Sequence, residues 1–119
     1  MNYIDGFVIP LPVDKIEEYR RQAEAAGKIW MEHGALNYRE CIADDMRAEG
    51  LTSFPELART DEGETVIFSY IVFRSREHRD EVNAKVMADP RIQDMCNPEA
   101  PPFDVKRMAY AGFRVLVDF

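Results

Sequence analysis

Three segments of this chain have the residue content of β-strands, and each is apolar on both of its faces. In Tyr3 to Leu11, side chains Tyr3, Phe7, Ile9 and Leu11 fall on one side while Ile4 and Val8 fall on the other. In Thr65 to Phe73, Ile67, Ile71 and Phe73 oppose Val66, Phe68, Tyr70 and Val72. In a last segment from about Met108 to Val117, Phe113, Val115 and Val117 oppose Tyr110 and Leu116. An antiparallel sheet with one wet face alternates apolar and polar residues, and these segments do not. Whatever sheet they form needs cover on both sides.

The helices supply cover for one side only. Asp14 with Glu17 three residues on has the pattern of a capping box, and Ile16, Tyr19, Ala23, Ala26, Trp30 and His33 recur at helical spacing up to Gly34. The spacing predicts an amphipathic helix of about five turns. Leu36 to Ala43 reads as a strand with Tyr38, Glu40 and Ile42 on one face and Asn37, Arg39 and Cys41 on the other. Ser75 caps a second helix that buries Val82 and Val86 and leaves Arg76, Glu77, Arg79, Asp80 and Lys85 in water, with Asn83 and Lys85 on opposite flanks. Asp89 and Pro90 open a short further helical piece to about Cys96, and the three prolines of residues 97–102 make a loop. The polar segment 44–63, with Gly50, Pro55 and Gly63, is long for a loop, so a short strand or turn is expected around Thr52 to Leu57.

The resulting order, βαββαβ over residues 1–119, is a single α+β domain of ferredoxin-like type, with a four-stranded antiparallel sheet and two helices. A chain of 119 residues exposes roughly 6,600 Å² folded against roughly 20,000 Å² unfolded, and 46% hydrophobic content is enough for one core. Right-handed crossovers place both helices on the same side of the sheet. The other side is then covered either by a second copy, sheet against sheet about a two-fold axis, or by segment 44–63 folded over it. That segment is short of large apolar residues, which favours the homodimer.

Charge removes several classes of partner. Fifteen Lys and Arg against 22 Asp and Glu give a net charge of −7, which repels phosphate backbones and anionic lipid, so neither nucleic acid nor membrane is expected as a partner. No stretch is apolar enough to span a membrane, and Asp5 with the early prolines is unlike a secretory signal. Cys41 and Cys96 lie far apart without a C-x-x-C pattern, and read as reduced, small, buried side chains of a cytoplasmic protein. No nucleotide-binding, nucleophile-elbow or zincin motif is present, and His33 and His78 have no carboxylate at metal-ligand spacing. No metal and no cofactor are expected.

The residues with chemistry to offer are few. His33 closes the first helix where the helix dipole favours its protonated form, and a short turn brings it close to Trp30, Tyr38 and Glu40. Such a group has the means to bind or deprotonate a small aromatic or enolic molecule. Asp5 and Glu40 are acids inside apolar strands, where burial raises a carboxyl pKa, unless Arg39, Arg107 or Arg114 pairs with them. Lys106 and Arg107 lead into the last strand and offer a hold for an anionic ligand, or pair with Asp104. Tyr19, Tyr70 and Tyr110 read as core and interface aromatics.

The blocks YIDGFVIPLP, WMEHGALNYRECIADD, NAKVMADPRI and PFDVKRMAYAGF together resemble the YbaA-like family of unknown function, DUF1428, across essentially the whole chain. The resemblance implies membership of the dimeric α/β-barrel superfamily, in which two ferredoxin-like subunits pair their sheets. Relatives there include cofactor-independent monooxygenases, haem-degrading enzymes, muconolactone isomerase and chlorite dismutase, and no catalytic set carries over to this sequence. It implies a small-molecule binder, or a cofactor-independent monooxygenase- or isomerase-like enzyme, with a pocket between sheet and helices in each subunit. In that reading His33, Glu40 and Asp5 are candidate acid or base groups, and Trp30, Tyr38 and Arg107 candidate ligand contacts. The competing reading is a non-catalytic structural or interaction dimer with a closed interior and a solvent-exposed or ion-paired His33.

Overall fold

The computed structural model describes residues 1–95 and 101–119. Cys96 and most of the proline-rich loop expected at 97–102 lie outside the described residues. The strands are β1 (Tyr3–Pro12), β2 (Asn37–Ile42), β3 (Glu64–Phe73) and β4 (Ala109–Arg114), and the helices are α1 (Ile16–Glu32), α2 (Phe54–Ala58), α3 (Arg76–Met87) and α4 (Pro90–Met95). The strands form one open sheet in the order β2-β3-β1-β4, and every neighbouring pair is antiparallel. The α+β class and the four-stranded antiparallel sheet are those expected.

The register sorts the side chains as the alternation predicts. Tyr3, Asp5, Phe7, Ile9 and Leu11 of β1 share a face with Ile67, Ser69, Ile71 and Phe73 of β3, Tyr38 and Glu40 of β2, and Tyr110 of β4. On this face Ile29, Val82, Val86 and Ile92 from α1, α3 and α4 pack against Ile71 and Phe73, and Tyr19 and Ala23 of α1 against Ile9, Leu11 and Ile67. Glycine at position 34, with φ of +113°, ends α1 after His33 and turns the chain into β2.

The opposite face is only partly covered. At one end α2 lies on β1 and β3, Phe54 stacks edge-on against Phe68 at 6.1 Å, and Val66 and Pro10 are buried. Elsewhere Phe68 and Phe113 remain 44% and 55% exposed, beside half-buried Ile4, Val8, Tyr70 and Val72. The molecule is a slab of 41 × 38 × 20 Å that exposes 8312 Å². That is about a quarter more than the roughly 6,600 Å² of a compact monomer of this mass.

Four local expectations are corrected. Asp14 does not cap α1. Pro12 delivers the chain into a 3-10 turn over Val13–Lys15, so Asp14 sits within that turn and Lys15 occupies the cap without a side-chain bond. The segment around Thr52 to Leu57 is helix rather than strand or turn. Ser53 Oγ accepts from Glu56 N as the N-cap and donates to the Glu56 carboxylate, Pro55 stands in the first turn, and Arg59 in the left-handed region ends the helix. The last strand stops at Arg114, so the apolar alternation of Val115, Leu116 and Val117 lies beyond the sheet. Cys41 is exposed, because it points to the uncovered face opposite Phe68.

Candidate functional site

Between the helical layer and the sheet lies a cavity of about 690 Å³, within the ordinary range of about 300–1,000 Å³ for small-molecule sites. Its origin is local. Phe7, Ser69 and Glu40 stand side by side across β1, β3 and β2, so a serine occupies the middle of the sheet floor. Above it α1 presents Ala23 and Ala26. Small side chains on both layers leave a space that large ones would fill. The walls are mostly apolar and aromatic, with Phe7, Trp30, Tyr110 and Phe103 prominent among them.

Two carboxylates from the sheet reach this cavity, and they are held differently. Glu40 is half-buried, and each of its oxygens accepts one phenolic proton, Oε1 from Tyr19 and Oε2 from Tyr38, both at 2.7 Å. Burial, followed by the negative charge of Glu40, pushes both tyrosines far above the ordinary phenol range. They stay protonated and act as donors to the carboxylate. Gly27 makes the arrangement possible, since a Cβ there would stand 2.7 Å from the Tyr38 ring. Among the described residues no cationic side chain pairs with Glu40.

Asp5, 1% exposed, has a full counter-charge. Its Oδ1 accepts from Arg79 Nη1 at 2.8 Å, and its Oδ2 from Asn83 Nδ2 at 3.3 Å. Asn83 Oδ1 in turn accepts from Trp30 Nε1 at 3.0 Å, which fixes the indole in the cavity wall. Arg79 also donates to the Tyr110 hydroxyl and to Asp80, and lies over the Tyr3 ring at 5.0 Å. Burial is the largest single influence and opposes its charge, but Asp5, Tyr110, Asp80 and Tyr3 together outweigh it and hold the guanidinium above its ordinary value. Burial and then the Asp5 charge raise Tyr110 as well.

Of the six candidates read from the sequence, Asp5, Trp30, Tyr38 and Glu40 line this one cavity. His33 does not join them: it lies at the end of α1, with Nε2 2.9 Å from Asp89 Oδ2, in a cluster with Arg91 and Glu32. Arg107 lies elsewhere too, in a two-pronged contact with Glu64 at 2.7 and 2.8 Å and a bond to the Arg59 carbonyl. Arg39 reaches the Tyr70 hydroxyl on the uncovered face, and Arg114 makes no pair with either acid. The partner of Asp5 is thus Arg79, expected in water but only 13% exposed along its side chain. Tyr19 and Asn83 are the other functional groups that the sequence reading set among core aromatics and helix flanks. His78 Nδ1 accepts from Arg74 N at 2.9 Å, a structural role. Among the described residues no group of three His, Cys, Asp or Glu could hold a metal ion, and no helix is long and apolar enough to cross a membrane.

Comparison with known proteins places the chain in a family. Residues 2–105 match the model for "Protein of unknown function (DUF1428)". The chain is 42% identical over 118 residues to "Uncharacterized protein YbaA" of Escherichia coli strain K12, covering 99% of each chain, and equally so to the protein of that name from Shigella flexneri. Among solved structures, "De novo designed protein Foldit4" aligns over 95% of this chain and 94% of its own, with a TM-score of 0.44 and 10% identity.

Proposed function

This chain belongs to the DUF1428 family of proteins of unknown function, and from that premise we propose that it is a ferredoxin-like homodimer that binds a small, largely apolar molecule in the cavity of each subunit. The ferredoxin-like reading is supported by the order β2-β3-β1-β4 with all pairs antiparallel, and by α1 and α3 lying on one face. Pairing of the sheets is supported by the uncovered apolar face around Phe68 and Phe113. One observation carries the ligand: an aromatic-walled space of about 690 Å³ with the Glu40 carboxylate clamped between two phenols at its edge. A purely structural dimer would have a closed interior, against which this cavity speaks, and an ion-paired His33, which Asp89 supplies.

Within this reading Glu40 is the group that anchors the ligand's polar end or takes a proton from it, with Tyr19 and Tyr38 placed to redistribute their hydrogen bonds as its charge changes. Asp5, already matched by Arg79, shapes the wall. Native mass spectrometry of gently purified protein tests both parts. The expected result is a mass of two chains carrying a small adduct per subunit, or a bare dimer in which added naphthalene quenches Trp30, the one tryptophan of the chain. A monomer overturns the pairing, and a bare protein indifferent to naphthalene overturns the ligand site.

A further inference from the structure

We propose that the cavity selects an organic cation, a primary amine or substituted ammonium on an aromatic or alicyclic body, with its ammonium group seated against Glu40, Tyr19 and Tyr38. The inference rests on the reading of the cavity as a ligand site and adds the chemical class.

The first argument is the direction of the hydrogen bonds. Tyr19 and Tyr38 each give their single hydroxyl proton to Glu40. The clamp therefore offers only acceptors to anything that enters: the remaining lone pairs of the carboxylate and those of the two phenol oxygens. An ammonium group has donors and no acceptor, so it matches such a surface. A carboxylate or phosphate has acceptors and no donor, and meets nothing there. The raised pKa of both phenols keeps those protons in place.

The second argument is charge. A carboxylate withdrawn from water is stable when a counter-charge or a full set of donors accompanies it. Asp5 has Arg79, whereas Glu40 has only neutral phenols. Of the guanidinium groups that the sequence offered as partners, Arg39 borders the cavity but turns to the Tyr70 hydroxyl at 3.4 Å, and Arg107 is held by Glu64. The missing charge is one that a ligand brings. The walls suit it as well, because two aromatic pairs, Trp30 with Tyr38 at 6.2 Å between centroids and Phe7 with Tyr110 at 5.0 Å, line the same space. A net charge of −7 draws cations toward the protein from solution.

Calorimetric titration with three near-isosteric probes tests the class at pH 7: 2-naphthylmethylammonium, 2-naphthylmethanol and 2-naphthoate. The ammonium is expected to bind about tenfold or more tighter than the alcohol, the increment of a charge-assisted hydrogen bond. The naphthoate is expected to give no saturable heat. Glu40→Gln should erase the advantage of the ammonium, bringing its affinity down to that of the alcohol on the same variant. An alcohol that binds as tightly as the ammonium, or a naphthoate that binds more tightly than either, overturns the cation class and leaves the cavity standing. Failure of all three to bind overturns the ligand site itself. The ranking on the unaltered protein decides the matter even if Glu40→Gln does not fold.

Discussion

Asp5 and Glu40 stand on the same face of one sheet, two strands apart, and border the same cavity, yet their surroundings have opposite meanings. Asp5 is sealed at 1% exposure, with a guanidinium on one oxygen and an amide on the other. Glu40 is half-buried, with two neutral phenols and no cation. A sealed and paired carboxylate fixes structure, since its removal leaves another charge stranded. One that is open and partnered only by neutral donors remains available to a ligand.

The largest effect expected from this contrast is at Arg79. Arg79→Met leaves Asp5 buried beside Asn83 alone, and urea denaturation should show a loss of about 3–5 kcal/mol. A loss below 1 kcal/mol would mean that the Asp5 site is wetter than its geometry indicates. Gly27→Ala sharpens the other half. The new Cβ meets the Tyr38 ring at 2.7 Å, so an overpacking cost of about 1–3 kcal/mol outweighs the helix-propensity gain of about 1 kcal/mol. Thermal unfolding should fall by a few degrees and Trp30 emission should shift as Tyr38 leaves Glu40. Phe113→Glu probes the uncovered face, where it should change the stability of the chain by only about 0.5 kcal/mol but convert the proposed dimer to monomer in sedimentation.

The smallest effect is one of pH, at a third carboxylate outside the cavity. Arg91 first and His33 second hold the Asp89 carboxyl well below the usual range. Its contribution is therefore complete above its unfolded pKa of about 3.9 and disappears as pH falls through the folded value. Between pH 5 and 2 the stability of Asp89→Asn should decline less steeply than that of the parent chain, as read by denaturation at each pH. Equal slopes would remove Asp89 from the acid response.

Much of this was legible from residue order alone. Alternation placed Tyr3, Asp5, Phe7, Ile9 and Leu11 together, i,i+2 spacing put Tyr38 and Glu40 on one face, and helical spacing set Tyr19 and Trp30 over the sheet. The pairing of Arg79 with Asp5 was not legible, because 74 residues separate them and a charged residue on a polar helix has no local mark of burial. A pocket between sheet and helices was expected from the family resemblance, but its size was not legible, because it depends on Ala23 and Ala26 of one element meeting Ser69 of another. The short helix at Phe54–Ala58 had its signal in Ser53 and Glu56, but Gly50, Pro55 and Gly63 around it read more strongly as turn.

The contrast between the two acids is tested most directly by thermal unfolding of Asp5→Asn and Glu40→Gln side by side at pH 7. Both changes are isosteric and both remove one negative charge. Asp5→Asn leaves Arg79 with only the exposed Asp80 as counter-charge and should cost about 2–4 kcal/mol, whereas Glu40→Gln keeps an acceptor for one phenol and should cost about 1 kcal/mol or less. A markedly lower melting temperature for Asp5→Asn than for Glu40→Gln is the predicted result. Equal losses, or a greater loss at Glu40, would make Glu40 part of the scaffold and contradict its role as the open group of the site.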